Sequence, residues 1–364
     1  MAPTPAHGVR TVTRSSSAFL TLAALLLAVV VGLASACGLL DAEQFIAYSS
    51  GAEGARDIAV IRPDGTGGRI IVGHSADDFA PVWSPDRTRV AFLSDRDGNV
   101  EVYVTLSFAD PSDPSSSSSL RVTNTGVDES HVGWSSDGKR LAYVSPDIDG
   151  PPRIYWLELD NLRPHRLIFG REGETDLAWS PEDRWVAFSV QDPNGVPVGI
   201  FLRNPGGVNT IQVSQTQDYA PAWSPDGKWL AFVSERDNNQ EIYVVEVRAD
   251  GSVTQQVNVS MNPADDWAPT WSADGKRVVF ISGRNGSPDL FSVTLGRVGV
   301  PDGTGLVPLT ANDFDESAFV VGPSGRVVFT STPSGKSDLF VMEPDGTGQR
   351  RLTADFLPNA QPAW

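Results

Sequence analysis

Ala220-Pro-Ala-Trp-Ser-Pro-Asp-Gly227, followed by Trp229-Leu-Ala-Phe-Val-Ser234 and Ile242-Tyr-Val244, decides the fold of this chain. Two β-rich runs flank a Ser-Pro-Asp-Gly turn, which is a hairpin signal, and the third run adds another strand. The unit recurs. Trp-Ser-Pro-Asp stands at Trp83–Asp86, and variants stand at Trp134–Gly138, Trp179–Asp183 and Trp271–Gly275. A degenerate copy is Val321-Gly-Pro-Ser-Gly325, and the chain ends on Pro362-Ala-Trp364. Successive anchors are 51, 45, 44, 48, 50 and 43 residues apart. That is the period of a four-stranded propeller blade rather than of a helical repeat.

Nine residues after each of the five tryptophans of the repeat comes Phe92, Tyr143, Phe188, Phe232 or Phe280, with Phe329 after eight in the degenerate copy. Fourth runs such as Arg121-Val-Thr123, Pro308-Leu-Thr310 and Arg351-Leu-Thr353 complete each set. Counting predicts the closure. The repeats open on a second strand, Phe45–Tyr48, with a third and a fourth behind it, and close on a lone first strand, Asn359–Trp364. Joined, the two ends make a seventh blade and remove a sheet edge. The expectation is an all-β, seven-bladed propeller of antiparallel four-stranded blades over residues 45–364, with six blades as the alternative.

Residues 1–44 are different material. Arg10 and Arg14 are the only charges before Asp41, and Ala18–Leu33 is apolar. A basic start, an apolar run and small residues read as an export signal over 1–36. Leu33-Ala-Ser-Ala-Cys37-Gly38 is similar to a bacterial lipobox, which implies lipidation of Cys37, although Ala34 stands where leucine is usual. The alternative is an uncleaved anchor helix, since about 20 apolar residues span a bilayer. Both place the propeller outside the cytoplasm, periplasmic or on the outer surface of a bacterium. Residues 37–44 form a short tether; the stretch from Gly38 to Gln44 reaches about 24 Å when extended.

The formal charge of −17, from 28 basic and 45 acidic residues, argues against nucleic acid as a partner. One cysteine rules out an internal disulfide, and four scattered histidines argue against a histidine metal site. Gly335-Lys-Ser337 lacks the glycine and helix of a phosphate loop. Asp95–Asn99 lacks the twelfth-position glutamate of a calcium loop, where Leu106 stands.

The repeat resembles the TolB-like propeller family, with its Pro-x-Trp-Ser-Pro-Asp-Gly, Leu-Ala-Phe-x-Ser and Ile-Tyr-Val signature, over residues 45–364. The resemblance implies an envelope protein that binds partners. It departs from the type member, which has six blades and an extra N-terminal domain for which this chain has no room. Similar repeats form the non-catalytic propellers of prolyl-oligopeptidase-type peptidases, so function must be argued from a site.

The candidate site is a ring of acids five positions before each anchor: Asp78, Glu129, Glu174, Asp218, Asp266 and Glu316, with Asn359 seventh. Asp77, Asp128, Asp265 and Asp315 precede four of them. Such a ring at the channel mouth would favour cations or basic groups, with calcium as an alternative to no cofactor at all. The structural alternative is bracing, by Ser94, Ser234 and Ser282 with Arg96, Arg236 and Arg284. Phe79, Tyr219 and Trp267 lie beside the acids as candidate contacts for a sugar or a basic side chain, or as inter-blade packing. The expectation is a monomeric binding or scaffolding module for an envelope protein, peptide or glycan. The alternative is a polysaccharide hydrolase or lyase using two ring carboxylates.

Overall fold

The computed structural model describes residues 45–106, 118–148, 150–167, 172–207, 210–296, 301–354 and 357–364, with only the backbone of 301–304. The export signal, Cys37 and the tether lie outside the described residues. The described strands form seven four-stranded antiparallel sheets, each hydrogen-bonded in the order first to fourth. Blades 1 to 6 span Asp78–Arg121, Ser130–Arg166, Gly173–Gln212, Asp218–Asn258, Asp266–Pro308 and Glu316–Arg351. Blade 7 joins Asn359–Ala363 to Ile46–Ser50, Asp57–Ile61 and Arg69–Val72. Its closing register sets Asn359 opposite Ser50 and Ala363 opposite Ala47.

The second strands are buried along most of their length, as in Val90–Ser94 and Val327–Ser331, because both faces of each blade are covered by neighbouring blades. The aromatic nine residues after the anchor is stacked on the aromatic opposite it on the third strand. Phe92 meets Tyr103, Phe232 meets Tyr243 and Phe280 meets Phe291, with centroids 5.7, 6.1 and 6.2 Å apart. The anchor tryptophans link consecutive blades. The indole N–H of Trp134 donates to the Val82 carbonyl (3.1 Å), Trp223 to Ala178 (3.2 Å) and Trp271 to Ala222 (3.0 Å).

The Ser-Pro-Asp-Gly turn is held by its own side chains. Ser224 Oγ donates to Asp226 Oδ1 at 2.7 Å and accepts from the Trp229 N–H. Gly227 then turns the chain at φ +68°, a conformation that favours glycine. First strands of adjacent blades touch all the way round the ring, from blade 1 to blade 7 and back. They therefore surround the axis. The chain enters every first strand on one face, here the entrance face, and leaves it at the Ser-Pro-Asp-Gly turns on the other, the hairpin face.

Candidate functional site: the entrance face

A β-bulge governs what the first strands display. In Asp78–Trp83, Asp218–Trp223 and Asp266–Trp271 the residues five and two before the anchor are buried, and those four, three and one before it are not. The register shifts between the residues four and one before the anchor. Ala80, His131, Asp176, Ala220, Ala268 and Gln361, three before the anchor, take φ values of 50–53° there.

All six predicted acids are buried, between 0 and 2 % exposed. Arg96 donates to Asp78 at 2.7 Å, Arg236 to Asp218 at 2.9 Å and Arg284 to Asp266 at 3.0 Å. Ser145 and Thr125 donate to Glu129, and Ser331 and Asn312 to Glu316. Arg153 lies 3.6 Å from Glu174. Ser145, Ser331, Arg96, Arg236 and Arg284 sit on the acid's own blade, whereas Arg153 reaches Glu174 from the preceding blade. What also crosses between blades is the hydroxyl that ends the preceding fourth strand, as with Thr123 to Glu129 (3.3 Å) and Thr310 to Glu316 (3.1 Å).

The neighbouring blade answers with a second acid, at the head of its third strand. Glu101, Glu241, Asp289 and Asp338 are buried and were not singled out from sequence, although each stands directly before an Ile-Tyr-Val-type run. Thr310 Oγ lies within hydrogen-bond reach of both Asp289 and Glu316, yet its single proton can serve only one at a time. Burial, with Glu101 hydrogen-bonded beside it, pushes Glu129 up to about 8. Burial alone resists ionising Glu101, but hydrogen bonds from Thr123, Glu129, the Thr125 N–H and Arg121 outweigh it and hold the group below the usual range. Burial likewise lifts Glu316 to about 7 and Glu174 to about 6, and raises Asp78 and Asp266. Glu101 and Glu129 thus share a proton between blades 1 and 2.

The acids one position earlier complete the clasp. Asp77, Asp128 and Asp265 accept the backbone N–H of Arg56, Val100 and Gln240. The carbonyls of those same three residues accept the N–H of Asp78, Glu129 and Asp266.

Near the axis, residues of consecutive blades meet directly. His131 Nε2 lies 3.5 Å from Asp176 Oδ1, and Gln361 Oε1 accepts from the Ala80 N–H at 3.0 Å. Phe79, Tyr219 and Trp267 are half-buried. The Arg56 guanidinium lies 4.4 Å from the Phe79 ring centre, Tyr219 Oη donates to Glu235 at 3.4 Å, and Trp267 packs against the cores of two blade interfaces. Beside Tyr219's partner Glu235, a polar groove of about 430 Å³ is lined by Gln217, Asn238, Asn239, Gln240 and Asp265.

The charge of the entrance face follows from these pairings. Among the described residues, loops from second to third strands carry Glu53, Asp95, Asp97, Asp147, Asp192, Glu235 and Asp237. Loops from fourth to first strands carry Asp77, Asp128, Glu129, Glu172, Asp265, Asp313 and Asp315. Against these fourteen stand Arg56, Arg96, Arg236, Arg284 and Lys336, bound to Asp77, Asp78, Asp218, Asp266 and Asp338. All five bases therefore neutralise carboxylates that are themselves buried. On the hairpin face, the described hairpins hold six acids and seven bases, and the outer turns five acids and three bases.

No three His, Cys, Asp or Glu side chains among the described residues converge as a metal-binding group. No helix among them is long and apolar enough to cross a membrane.

Residues 41–218 and 202–301 match the family described as the TolB beta propeller domain. A stretch of 52 residues is 44% identical to a Protein TolB homolog of Chlorobium luteolum, covering 14% of this chain and 12% of that relative. The chain thus matches only about an eighth of that relative's length. Among solved structures, TolB from Acinetobacter baumannii is 19% identical with a TM-score of 0.55, covering 88% of this chain and 66% of that one. An oligogalacturonate lyase in complex with manganese is 16% identical with a TM-score of 0.65, covering 83% and 86%. At these identities the likeness is one of fold.

Proposed function

Because the chain belongs to the TolB beta propeller family, we propose that it is a binding or scaffolding module, tethered outside the cytoplasm through Cys37, that captures a basic segment of an envelope partner on its entrance face. The observation that carries this reading is the charge asymmetry: of the fourteen acids in those loops, Asp77, Asp97 and Asp147 are paired with arginines and Glu129 is buried with its proton, while the other ten, Glu235, Asp265, Asp313 and Asp315 among them, form no ion pair among the described residues. Uncompensated negative potential attracts cationic groups and speeds their encounter. The groove beside Glu235 and Asp265 offers a concave foothold. The six ring acids enter this reading as the braces that shape the mouth, and the contacts fall to the exposed acids around them.

The test is capture from envelope extract by three full-chain proteins. One is wild type; one carries Glu235→Gln, Asp313→Asn and Asp315→Asn; one carries Asp160→Asn and Asp250→Asn on the hairpin face. Capture lost only in the first variant, and weakened by salt in the wild type, supports the reading. Equal capture by all three would move the site elsewhere.

A further inference from the structure

The groove of about 430 Å³ on the entrance face draws on three chain segments. Glu235, Asn238, Asn239 and Gln240 come from the loop between the second and third strands of blade 4, Gln217 from the loop entering blade 4, and Asp265 from the loop entering blade 5. Three of these side chains are anchored, and each keeps an oxygen to spare. The Asn239 amide nitrogen is surrounded by acceptors: Glu241 Oε1 at 3.0 Å and the carbonyls of Asn262 and Ala264 at 2.8 and 3.1 Å. That fixes which way the amide points, and its Oδ1 takes no hydrogen bond among the described residues. Asp265 Oδ1 accepts from the Gln240 N–H at 3.0 Å, which leaves Oδ2. Glu235 Oε1 accepts from Tyr219 Oη at 3.4 Å, which leaves Oε2. The anchored side chains are therefore all acceptors. The nearest bases are held elsewhere: Arg236 donates to Asp218 (2.9 Å) and Ser234 (2.7 Å), and Arg284 to Asp266 (3.0 Å) and Ser282 (2.7 Å). Both of those acids are 0 % exposed, so the two arginines offset buried charge and leave that of Glu235 and Asp265.

A ligand that completes such a groove brings donors and positive charge, and no acceptors of its own. Guanidinium meets that description. It holds its N–H donors in one plane, has no acceptor and stays charged, so it can serve two carboxylates and an amide oxygen together. An ammonium is a compact point charge and has no such fork. We propose that this groove is a subsite for an arginine side chain of the bound segment, read by the carboxylates of Glu235 and Asp265 and by Asn239 Oδ1. The amides of Gln217, Asn238 and Gln240 form no side-chain hydrogen bond among the described residues, and they can turn their carbonyls to the same group. The proposal rests on the entrance-face reading for the partner that supplies the arginine, and it adds the residue that this partner must carry.

The experiment is saturation-transfer NMR on the full chain with three probes: acetyl-Gly-Arg-Gly-amide, its lysine counterpart and its citrulline counterpart. The expected order is arginine first, lysine roughly tenfold weaker, and citrulline, which keeps the planar shape without the charge, undetected. Glu235→Gln and Asp265→Asn each keep the oxygen that accepts from Tyr219 or from the Gln240 N–H, and each should weaken the arginine probe roughly tenfold. The ranking of the probes on the unmodified chain does not depend on whether either variant folds. Lysine bound as well as arginine overturns the assignment to guanidinium. Arginine bound equally by the unmodified chain and both variants overturns the groove as its seat. The same proteins are also tested for capture from envelope extract. Capture without binding of any probe overturns the subsite and leaves the entrance-face reading standing. Arginine bound in the groove without capture of a partner supports the subsite and removes that reading.

Discussion

Replacing Glu129 by glutamine should stabilise the propeller at pH 8 and leave it little changed at pH 5. Glu129 is 2 % exposed and its carboxyl is pushed from 4.5 to about 8. The folded state therefore holds a proton that the unfolded chain gives up between those values. A group raised on folding contributes its stability in full below the unfolded value and loses it as pH climbs through the folded one. The shift spans about 3.5 units, and at about 1.4 kcal/mol per unit the ceiling is about 5 kcal/mol. The proton belongs to the pair with Glu101 rather than to Glu129 alone, so roughly half of that, about 2–3 kcal/mol, is expected between pH 5 and 8. Glutamine keeps an N–H donor towards Glu101 and a carbonyl for the hydroxyls, but has no proton to lose. Urea unfolding of both proteins at pH 5, 6.5 and 8 reads the difference as midpoints that diverge with pH. Midpoints that stay a constant distance apart would refute the shared-proton account.

Two further outcomes follow from the packing. Trp271→Phe keeps a smaller aromatic ring but loses the indole N–H and its 3.0 Å bond to the Ala222 carbonyl, and calorimetry should show a loss of at least about 1–2 kcal/mol. Ending the chain after Leu357 deletes the strand paired with Ile46–Ser50; size-exclusion should then show oligomers rather than a less stable monomer, because an open edge recruits another strand.

The blade count and the closure were legible because both are arithmetic on a repeat: six full sets, three strands left over at the front and one at the back. The acids were legible as a pattern but not in their placement. Alternation back from Trp83 puts Val82, Ala80 and Asp78 on one face, which would line the channel with all three. The bulge at Ala80 inserts one residue, so Asp78 turns into the blade interface while Ala80 and Val82 stay half-exposed. A bulge formed on alanine in three blades leaves no compositional mark, since alanine has no special claim on positive φ. The signal that was available is irregularity. Position three before the anchor is alanine in blades 1, 4, 5 and 6, but His131, Asp176 and Gln361 elsewhere. Glu101 and its counterparts were overlooked because a charge heading a strand reads as a solvated end, until the register shows the next blade's acid facing it.

Blade 7 also sets a timetable. Ile46–Ser50 is among the first propeller segments made, and its partner Asn359–Ala363 is the last. About 300 residues separate them, so at roughly 5–20 residues per second the leading edge waits on the order of 15–60 s for its other half. Blades 1 to 6 can each form from contiguous chain in that interval, but the ring cannot shut until Asn359–Ala363 has been made. Any factor that shields three orphan strands during that minute would influence yield more than it influences the stability of the finished protein.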